Sequence, residues 1–353
     1  MQTKNLRISE FSPLVTPRQL EDELPATPAM QRVVQASRDG LSAILHGQDR
    51  RRLAVVVGPC SIHDPEAALA YAARLQKVAE RTSDQLLIVM RTYFEKPRTV
   101  VGWKGLISDP HLDGSCDISQ GLTLARKLLL DINALGLPCA TEFLDTVVPH
   151  YLADLVSWAA IGARTTESQV HRQMASGLSM PVGFKNSTDG SLQNAINAVL
   201  SARHPHAFLG INTDGLSSVV KTTGNQDCHI VLRGGAAGPN YHHADAAAAA
   251  EAATKVGLAR GVMVDCSHGN SQKDYTRQGG VLGEVVRDFA AGQRTLLGVM
   301  LESSLRPGKQ TWMRGAPLAY GVSITDGCIG WDETESLLMD TAGRLSREAA
   351  DAR

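Results

Sequence analysis

A charged or metal-binding side chain follows each of eight short apolar runs in this sequence of 353 residues. Arginine or lysine follows four of the runs, glutamate follows two, and cysteine and histidine follow one each. These residue types bind anions and divalent metal ions and transfer protons in catalysis. In chain order the eight residues are Cys60, Arg91, Glu142, Arg164, Lys185, Arg233, His268 and Glu302.

The apolar runs indicate buried parallel strands. Each has three to six residues, which is too short for a helix, and each is too continuously apolar for a half-exposed strand. The runs cover residues 53–58, 86–90, 137–141, 159–163, 181–184, 230–232, 262–264 and 297–301. Helical patterns alternate with them, as repeated βαβ units require. The clearest of these cover residues 65–81, 119–135, 192–202, 245–257 and 280–291.

Eight such repeats predict an α/β fold with a single (β/α)8 barrel, the TIM barrel. The competing architecture is a doubly wound open sheet, in which a GxGxxG turn after the first strand binds a dinucleotide. Here the segment after the first run reads GPCSIHD, so the sequence lacks that fingerprint. We therefore expect the barrel rather than the open sheet.

Two segments extend beyond a bare barrel. Residues 1–50 precede the first strand and predict an N-terminal extension for regulatory or oligomer contacts. At about 207–223, two apolar runs flank a Thr-Asp-Gly turn, which predicts a β-hairpin inserted between strands 5 and 6. The catalytic barrel itself is expected to span residues 51–353.

The carboxyl ends of barrel strands meet at one face, where barrel enzymes have their active sites. The cationic strand-end residues, together with Lys96 and Arg98, would then surround one mouth. Taken singly, each cation is more simply explained as a solvated loop charge, and Glu142 as an anion at a helix N-terminus. Together they repel one another unless an anion offsets their charge, so they predict a polyanionic ligand. Phosphate suits the geometry and charge of Arg and Lys best.

A second set of strand-end residues could bind a metal ion. Cys60, His268 and Glu302 belong to strands 1, 7 and 8, which adjoin in a closed barrel, and Asp326 lies in the following loop. A thiolate, an imidazole and two carboxylates suit one divalent Mn, Fe, Co or Zn ion better than Ca or Mg. Without the barrel, Cys60 is as well explained as a buried small residue and His268 as a structural histidine. Oxidative pairing of Cys60 with Cys328 is left open.

Composition narrows the class of protein. The chain has 35 Lys plus Arg against 36 Asp plus Glu, a formal net charge of −1, which argues against nucleic-acid or membrane partners. No signal peptide or run of membrane-span length is present. The six scattered cysteines fit reduced thiols, and we expect Cys116, Cys139, Cys228 and Cys266 to be structural. The sequence therefore predicts a soluble, cytoplasmic protein.

Eight sequence blocks, in order along nearly the whole chain, resemble a known family, the class I, α-type 3-deoxy-D-arabino-heptulosonate 7-phosphate (DAHP) synthases. The resemblance implies a metal-dependent, aldol-like condensation of phosphoenolpyruvate with D-erythrose 4-phosphate, the first step of the shikimate pathway towards chorismate and the aromatic amino acids. The blocks are GPCSIHD (58–64), MRTYFEKPRTVVGWKG (90–105), DPHLDGSCDI (109–118), GARTTESQVHRQMASGLSMPVGFKN (162–186), LRGG (232–235), DCSHGNSQKDY (265–275), MLES (300–303) and SITDGCIGW (323–331).

The resemblance also implies residue roles. Cys60, His268, Glu302 and Asp326 correspond to the metal ligands, and Lys96, His268 and Asp326 to catalytic residues. The family binds erythrose 4-phosphate at positions that match Pro97, Arg98, Thr99 and Asp326. Whether His268, Lys96 or a metal-bound water protonates the new alkoxide is left open. The phosphoenolpyruvate residues correspond to Arg91, Lys96, Gly162, Ala163, Arg164, Lys185 and Arg233.

Regulation follows from the same resemblance. Aromatic-sensitive members bind an amino acid between the N-terminal extension and the inserted hairpin. Pro149, Ser179 and Gly210 match that pocket, and His150 lies at a further position of it. Gly210 resembles the tyrosine-sensitive group and leaves room for a phenolic hydroxyl, whereas His150 departs from the glutamine common there. Tyrosine is therefore the expected effector over phenylalanine. The family resemblance further implies a homodimer or homotetramer.

Two alternatives to this function were weighed. A 3-deoxy-octulosonate 8-phosphate synthase performs the same condensation on a longer sugar, but that family has an ANRS-like segment where this chain has KPRT. The other alternative is a non-catalytic metal- or phosphate-binding regulator. Such a protein would not require both the possible metal ligands and the full set of strand-end Arg and Lys residues.

Overall fold

Each of the eight apolar runs forms a strand in the structure, a computed structural model that describes residues 3–258 and 261–351. Terminal residues 1, 2, 352 and 353, which belong to the predicted extension and barrel, lie outside the described residues, as do 259 and 260. The strands of the described chain are β1 (Leu53–Gly58), β2 (Leu86–Arg91), β3 (Cys139–Glu142), β4 (Trp158–Ile161), β5 (Val182–Lys185), β6 (Ala207–Ile211), β7 (Ser217–Lys221), β8 (Cys228–Leu232), β9 (Val262–Asp265) and β10 (Leu296–Glu302).

All strands except β6 and β7 pair in parallel and close into a barrel in the order β1-β10-β9-β8-β5-β4-β3-β2. The predicted (β/α)8 barrel is confirmed. Because helices cover the outside and side chains fill the inside, both faces of these strands are buried, which is why they read as apolar runs. The helices are α1 (Pro17–Glu23), α2 (Pro28–Leu45), α3 (Pro65–Arg81), α4 (Ile118–Ala134), α5 (Pro149–Leu152), α6 (Gln169–Ala175), α7 (Gln193–Ala202), α8 (His243–Lys255), α9 (Gln278–Ala290) and α10 (Trp331–Asp351).

The strands end slightly later in sequence than predicted at several functional positions. Arg91, Glu142, Lys185 and Glu302 are the last residues of their strands rather than the first residues beyond them. In contrast, β4 ends at Ile161, so the predicted strand 159–163 was too long at its carboxyl end. Backbone pairing therefore fixes the position of the four charged residues more firmly than a loop would.

The end of α2 closes the amino-terminal end of the barrel. Leu41, Ile44 and Leu45 are buried in one cluster with inward-facing strand residues such as Val56 and Met263. The helix begins at a Thr27 cap with Pro28 at its first position, both of which favour helix initiation. The carboxyl-terminal end of α2, which belongs to the predicted N-terminal extension, is thus packed into the barrel core.

The inserted hairpin is confirmed as the antiparallel pair β6 and β7 between barrel strands β5 and β8. Its turn is held by Arg18 in α1, whose Nε donates to Asp214 Oδ1 at 2.6 Å and whose NH2 donates to Thr213 Oγ1 at 3.0 Å. The hydroxyl of Tyr151 in α5 donates to the Val15 carbonyl at 2.7 Å. The extension, the hairpin and α5 therefore form one connected layer.

One expectation about the cysteines was wrong. Cys116 is exposed, with a positive φ of 56°, whereas the other five cysteines are buried. It lies in the loop before α4, where packing does not require a small apolar residue. Within the described residues, no helix combines the length and the apolar character needed to cross a membrane.

Candidate active site and metal centre

Three of the four predicted metal ligands come together at the carboxyl end of the barrel. One donor atom each from Cys60, Glu302 and Asp326 lies within 4.8 Å of the other two. Cys60 follows β1 and Glu302 ends β10, strands that are hydrogen-bonded neighbours. Asp326 reaches them from the segment after β10, which folds back through backbone bridges such as Gly308 to Cys328. One soft and two hard donors fit a transition-metal ion.

The fourth predicted ligand, His268, lies next to this group. Its Nε2 atom is 3.9 Å from Glu302 Oε1, and its Nδ1 atom is 2.9 Å from Asp265 Oδ2. Its φ of 57° is unusual for a residue other than glycine, and such conformations cluster at functional sites. The imidazole is therefore held with one nitrogen toward Asp265 and the other toward the Cys60–Glu302–Asp326 group.

Lys96 contacts the same group. Its Nζ atom donates to Cys60 Sγ at 3.1 Å, and the Cys60 thiol donates to Asp326 Oδ2 at 3.5 Å. Burial and nearby Glu302 raise the pKa of the Cys60 thiol to about 12, although Lys96 opposes this shift. Burial also acts to raise the pKa of Asp326, but Lys96 and His268 outweigh it and hold that pKa below its usual value. The thiol is thus protonated at neutral pH until a cation displaces its proton.

Arg91 lies beneath Cys60, Glu302 and Asp326, here called the ligand group, and is only 1 % exposed. Its guanidinium donates to Glu302 Oε1 at 3.2 Å and to the carbonyls of Pro59 and Cys60 at 3.2 and 3.3 Å. It also stacks over the Tyr93 ring at 3.9 Å from the centroid. Burial acts to lower the pKa of Arg91, but Tyr93 and Glu302 outweigh it and the pKa is raised. Arg91 therefore carries a fixed positive charge that orients Glu302.

Asp265, the last residue of β9, contacts one residue from each of the two predicted groups, the phosphoenolpyruvate-binding cations and the metal ligands. Its Oδ2 atom is 2.9 Å from Lys185 Nζ and 2.9 Å from His268 Nδ1, and its Oδ1 atom accepts from Ser267. The side chain is fully buried, which opposes ionisation, yet Lys185 and His268 hold the pKa of Asp265 well below its usual value. A buried carboxylate thus connects a predicted phosphoenolpyruvate residue to a predicted metal ligand.

A cavity of about 310 Å³ opens directly above the ligand group. Arg164 and Arg233, both predicted to bind phosphoenolpyruvate, line it together with His268, Glu302 and Asp326. Arg164 is exposed, whereas Arg233 is half-buried, and burial lowers the pKa of Arg233. The site therefore places two guanidinium groups, which suit phosphate and carboxylate, beside three possible metal ligands.

Gly162 and Ala163 follow β4 at the same end of the barrel. A Cβ atom on Gly162 would lie 2.2 Å from Glu142 Oε1, so only glycine fits beside that carboxylate. Glu142 Oε1 is buried and has no hydrogen-bond partner within the described chain. The Gly162 backbone thus approaches a buried carboxylate oxygen with free hydrogen-bonding capacity.

The predicted erythrose 4-phosphate segment borders a second cavity, of about 370 Å³. Arg98 lines it, and its Nε donates to the Trp103 carbonyl at 2.8 Å. Pro97 is half-buried and accepts from Arg164 through its carbonyl at 3.4 Å, while Thr99 is exposed. Lys309 lines both this cavity and the one above the ligand group, so the two cavities adjoin.

The predicted regulatory residues lie away from the barrel mouth. Pro149 begins α5, and His150 is half-buried beside the hairpin: a Cβ atom on Gly210 would lie 3.9 Å from His150 Nε2. Burial lowers the pKa of His150. Ser179 is exposed in the loop between α6 and β5. The structure thus brings His150 and Gly210 together and places Ser179 in a separate loop.

Sequence reasoning missed several residues of the site. Asp265 directly follows the apolar run 262–264, which is a signal that could have been used. Lys309 lies in an irregular segment far from any strand end and carried no such signal. The remaining polar residues that line the first cavity are Ser267, Ser271, Lys273 and Tyr275.

Comparison with known proteins gives consistent matches. The model of the DAHP synthetase I family matches residues 26–339. The Phe-sensitive phospho-2-dehydro-3-deoxyheptonate aldolase of Escherichia coli K12 is 54 % identical over 344 residues, 98 % of each chain. The Trp-sensitive protein of Enterobacter agglomerans is 54 % identical over 345 residues, which cover 98 % of this chain and 99 % of that one. The Tyr-sensitive protein of E. coli K12 is 52 % identical over 351 residues, 98 % of each.

A solved structure shares the fold. The phospho-2-dehydro-3-deoxyheptonate aldolase of Francisella tularensis SCHU S4 superposes with a TM-score of 0.93 at 46 % identity, covering 96 % of this chain and 98 % of that one. A family match over most of the chain and relatives above half identity agree with the site geometry. The chain therefore belongs to the DAHP synthetase I family.

Proposed function

We propose that this protein is a DAHP synthase, which condenses phosphoenolpyruvate with D-erythrose 4-phosphate and water to give DAHP and phosphate, the first step of the shikimate pathway. The observation that carries this proposal is the position of Arg164 and Arg233 in one cavity with His268, Glu302 and Asp326. Two phosphorylated substrates need cations, and the condensation needs an electrophile activated beside them. The family membership and the named relatives support the same reaction.

A divalent metal ion would be held by Cys60, Glu302 and Asp326, with His268 as the fourth ligand. The donor atoms of the first three already converge within 4.8 Å. Mn, Fe, Co and Zn all suit this mixed set of soft and hard donors. When bound, such an ion supplies Lewis-acid activation of the aldehyde of erythrose 4-phosphate.

The Arg and Lys residues at the carboxyl end of the barrel would bind phosphoenolpyruvate. Arg164 and Arg233 present guanidinium groups to the first cavity, and Lys185 is held at the same end of the barrel by Asp265. Arg91 supports Glu302 from below, and the Gly162–Ala163 backbone closes the site beside Glu142. These groups bind the carboxylate and phosphate of the substrate and stabilise the phosphate as it leaves.

Three groups can supply the proton to the new alkoxide: Lys96, His268 or a metal-bound water. Burial acts to lower the pKa of Lys96, but Cys60 and Glu302 outweigh it and raise that pKa, so Lys96 carries its proton at neutral pH. Asp326 contacts Cys60 and lines the first cavity, while its neighbour Thr325 lines the second cavity together with Arg98. Pro97, Arg98 and Thr99 would face the erythrose phosphate there. The aldehyde end is thereby oriented toward the metal ligands.

Phosphate release tests the reaction and separates the alternatives. The metal-loaded protein is incubated with phosphoenolpyruvate and either erythrose 4-phosphate or arabinose 5-phosphate. We expect metal-dependent release of phosphate with erythrose 4-phosphate only. Release with arabinose 5-phosphate alone would indicate the 3-deoxy-octulosonate 8-phosphate reaction, and no release with either would indicate a non-catalytic regulator.

We further propose that an aromatic amino acid, tyrosine, inhibits the enzyme at His150 and Gly210, with Pro149 and Ser179 bordering the pocket. The relatives named Phe-, Trp- and Tyr-sensitive are 54, 54 and 52 % identical, so overall identity does not separate the three effectors. What favours tyrosine is Gly210, which adds no side chain beside His150. Inhibition by phenylalanine at a far lower concentration than tyrosine would overturn this choice.

We propose that the protein forms a homodimer or homotetramer, because the layer formed by the N-terminal extension, the hairpin and α5, here called the regulatory layer, has exposed apolar side chains. Leu209 and Val219 on the hairpin are 87 and 65 % exposed, and Leu6 and Phe11 of the N-terminal extension are 70 and 73 % exposed. Apolar surface of this kind commonly marks contacts between subunits. The unit boundaries, 1–50 for the extension and 51–353 for the barrel, and the cytoplasmic location remain predictions of the sequence.

A further inference from the structure

We propose that the amino-terminal end of the barrel holds a second ligand site, which binds a small organic anion with an apolar body. The site is a cavity of about 590 Å³ between the end of α2, the segment before β1 and the segment before β10. Because all barrel strands run in parallel, these elements lie at the opposite end from Glu302 and Asp326. The cavity has the size of an ordinary small-molecule site, and the proposed reaction makes no use of it.

The first argument is charge. Arg50, Arg52 and Arg294 line the cavity, and Asp49 is its only acidic residue within the described chain. Asp49 Oδ2 is paired with Arg52 Nε at 2.6 Å. Arg50 donates to the Gly47 carbonyl, and Arg294 stacks on the Phe289 ring at 4.7 Å, but among the described residues neither has a carboxylate at ion-pair distance. Two positive charges therefore face the cavity without a counter-charge.

The two histidines of the cavity do not change this balance. His46 Nε2 lies 2.7 Å from Asp227 Oδ1, and His243 Nδ1 lies 3.7 Å from Asp288 Oδ2. Both carboxylates are thus already engaged by imidazoles. A bound anion would offset the charges of Arg50 and Arg294, for which the described residues supply no carboxylate at ion-pair distance.

The second argument is unsatisfied hydrogen-bonding capacity. Gln293 and Thr295 line the same cavity, and their buried Oε1 and Oγ1 atoms have no hydrogen-bond partner in the described chain. Gln293 Nε2 already donates to the His243 carbonyl at 3.2 Å. Buried polar atoms are nearly always paired, so the Thr295 hydroxyl calls for an acceptor, whereas Gln293 Oε1 is itself an acceptor and does not pair with an anion. The Thr295 hydroxyl can donate to a carboxylate.

The third argument selects an organic anion over a bare inorganic one. Leu45, Phe289 and Leu296 are buried and form an apolar wall beside the arginines. A ligand with an anionic group and an apolar or aromatic body would use both parts, whereas inorganic phosphate would leave the apolar wall without a partner.

Isothermal titration calorimetry of the full-length protein with phenylpropionate tests the site. The titration is made at saturating phosphoenolpyruvate, so that the anion sites of the barrel mouth are filled. We expect a Kd below about 1 mM, and binding weaker by about tenfold or more for both phenylpropanol and inorganic phosphate. No binding of phenylpropionate up to about 10 mM would overturn the proposal. Equal binding of phenylpropanol or of phosphate would do so as well.

Variants locate the binding. Arg294→Glu should raise the Kd by about tenfold or more, whereas Arg294→Lys should keep it within about threefold. Arg51→Glu is the matched control, because Arg51 lies between Arg50 and Arg52 in sequence but lines only the neighbouring cavity. If Arg294→Glu does not fold, as judged by circular dichroism, Arg50→Glu replaces it. Unchanged affinity in the charge-reversed variant would contradict the site, whatever the outcome of the phosphate-release assay.

Discussion

At the scale of single residues, the site depends on side chains that hold one another in place. Lys96 contacts the Cys60 thiol, Arg91 contacts Glu302, and Asp265 contacts both Lys185 and His268. Buried charges of this kind are stable only when each is paired, so losing one partner affects the others. The proposed metal ligands and the proposed substrate-binding cations are therefore joined in one network of contacts.

Replacing Cys60 by alanine tests the metal ligand. We expect Cys60→Ala to bind Co²⁺ at least about tenfold more weakly and to lose metal-dependent phosphate release, because the soft donor of the group is gone. Bound metal is measured by elemental analysis after gel filtration, a readout that needs no turnover. Cys116→Ala is the control, because Cys116 is exposed in a loop and should bind metal as the unaltered protein does. Equal metal content in Cys60→Ala would refute the assignment.

Replacing Asp265 by asparagine tests whether this carboxylate connects substrate binding by Lys185 to metal binding by His268. Asparagine keeps the shape but removes the charge that holds Lys185 and His268, so kcat/KM should fall by about 10- to 100-fold. We expect both a higher KM for phosphoenolpyruvate and weaker metal binding in the absence of substrate. Asp131→Asn, which alters a half-buried carboxylate paired with Lys127 away from the site, should leave both unchanged. A fall in thermal stability without either change would mean that Asp265 is merely structural.

At the scale of secondary-structure elements, α1, α5 and the hairpin are joined by a few specific contacts. Arg18 connects α1 to the hairpin turn, and Tyr151 connects α5 to the segment before α1. His150 and Gly210, the proposed effector residues, lie on α5 and on β6. An effector bound there would contact the hairpin, which Arg18 holds to α1, and α5, which Tyr151 holds to the segment before α1.

Cutting the contact between α1 and the hairpin should weaken regulation. Arg18 and Asp214 are both exposed, and exposed salt bridges add little to stability, so Arg18→Ala should fold normally. We expect the tyrosine concentration for half-inhibition to rise by about threefold or more, since the coupling between the layer and the barrel is reduced. Arg81→Ala, which removes an exposed pair with Glu335 elsewhere, is the control. Equal inhibition of both variants would show that this contact does not carry the effect.

Much of the barrel could be predicted from sequence because buried parallel strands leave a direct signal. Eight apolar runs gave eight strands, and α3 was predicted at its observed bounds, Pro65–Arg81. The end of β4 was missed because Gly162 and Ala163 are apolar but continue into a turn. Lys309 was missed because its place at both cavities depends on the fold of the segment after β10, which no local pattern records.

At the scale of the whole molecule, the barrel interior is not entirely apolar. His229 on β8 lies inside it, where Trp158 Nε1 donates to His229 Nε2 at 3.3 Å and Nδ1 faces the Asp227 carbonyl at 3.4 Å. Burial lowers the pKa of His229 to about 4. The folded protein thus holds a neutral imidazole at neutral pH, and protonating it would leave a charge in the core.

This imidazole makes stability depend on pH. In the unfolded chain the pKa of His229 returns to about 6.5, so between that value and about 4 the unfolded state binds a proton that the folded state does not. Stability is therefore lost as the pH falls through this window. We expect the titration of His229 alone to make the free energy of unfolding about 2 kcal/mol lower at about pH 5 than at about pH 7. Urea unfolding at both values measures it.

A variant isolates the contribution of His229. His229→Gln keeps a polar side chain but has no proton to gain, so the difference in unfolding free energy between the two pH values should shrink by about 2 kcal/mol. The same pH dependence in the variant and in the unaltered protein would assign the effect to other groups.

The burial of α2 in the barrel has a consequence for anyone who wishes to free this enzyme from feedback control. Shortening the chain from its amino terminus looks like the simplest route, because the proposed regulatory layer begins there. Yet Leu41, Ile44 and Leu45 fill one end of the barrel core, and deleting them would expose residues such as Val56 and Met263 to water. Feedback-resistant forms should therefore be sought by point substitution at the surface of α1 and the hairpin, with the chain kept at full length.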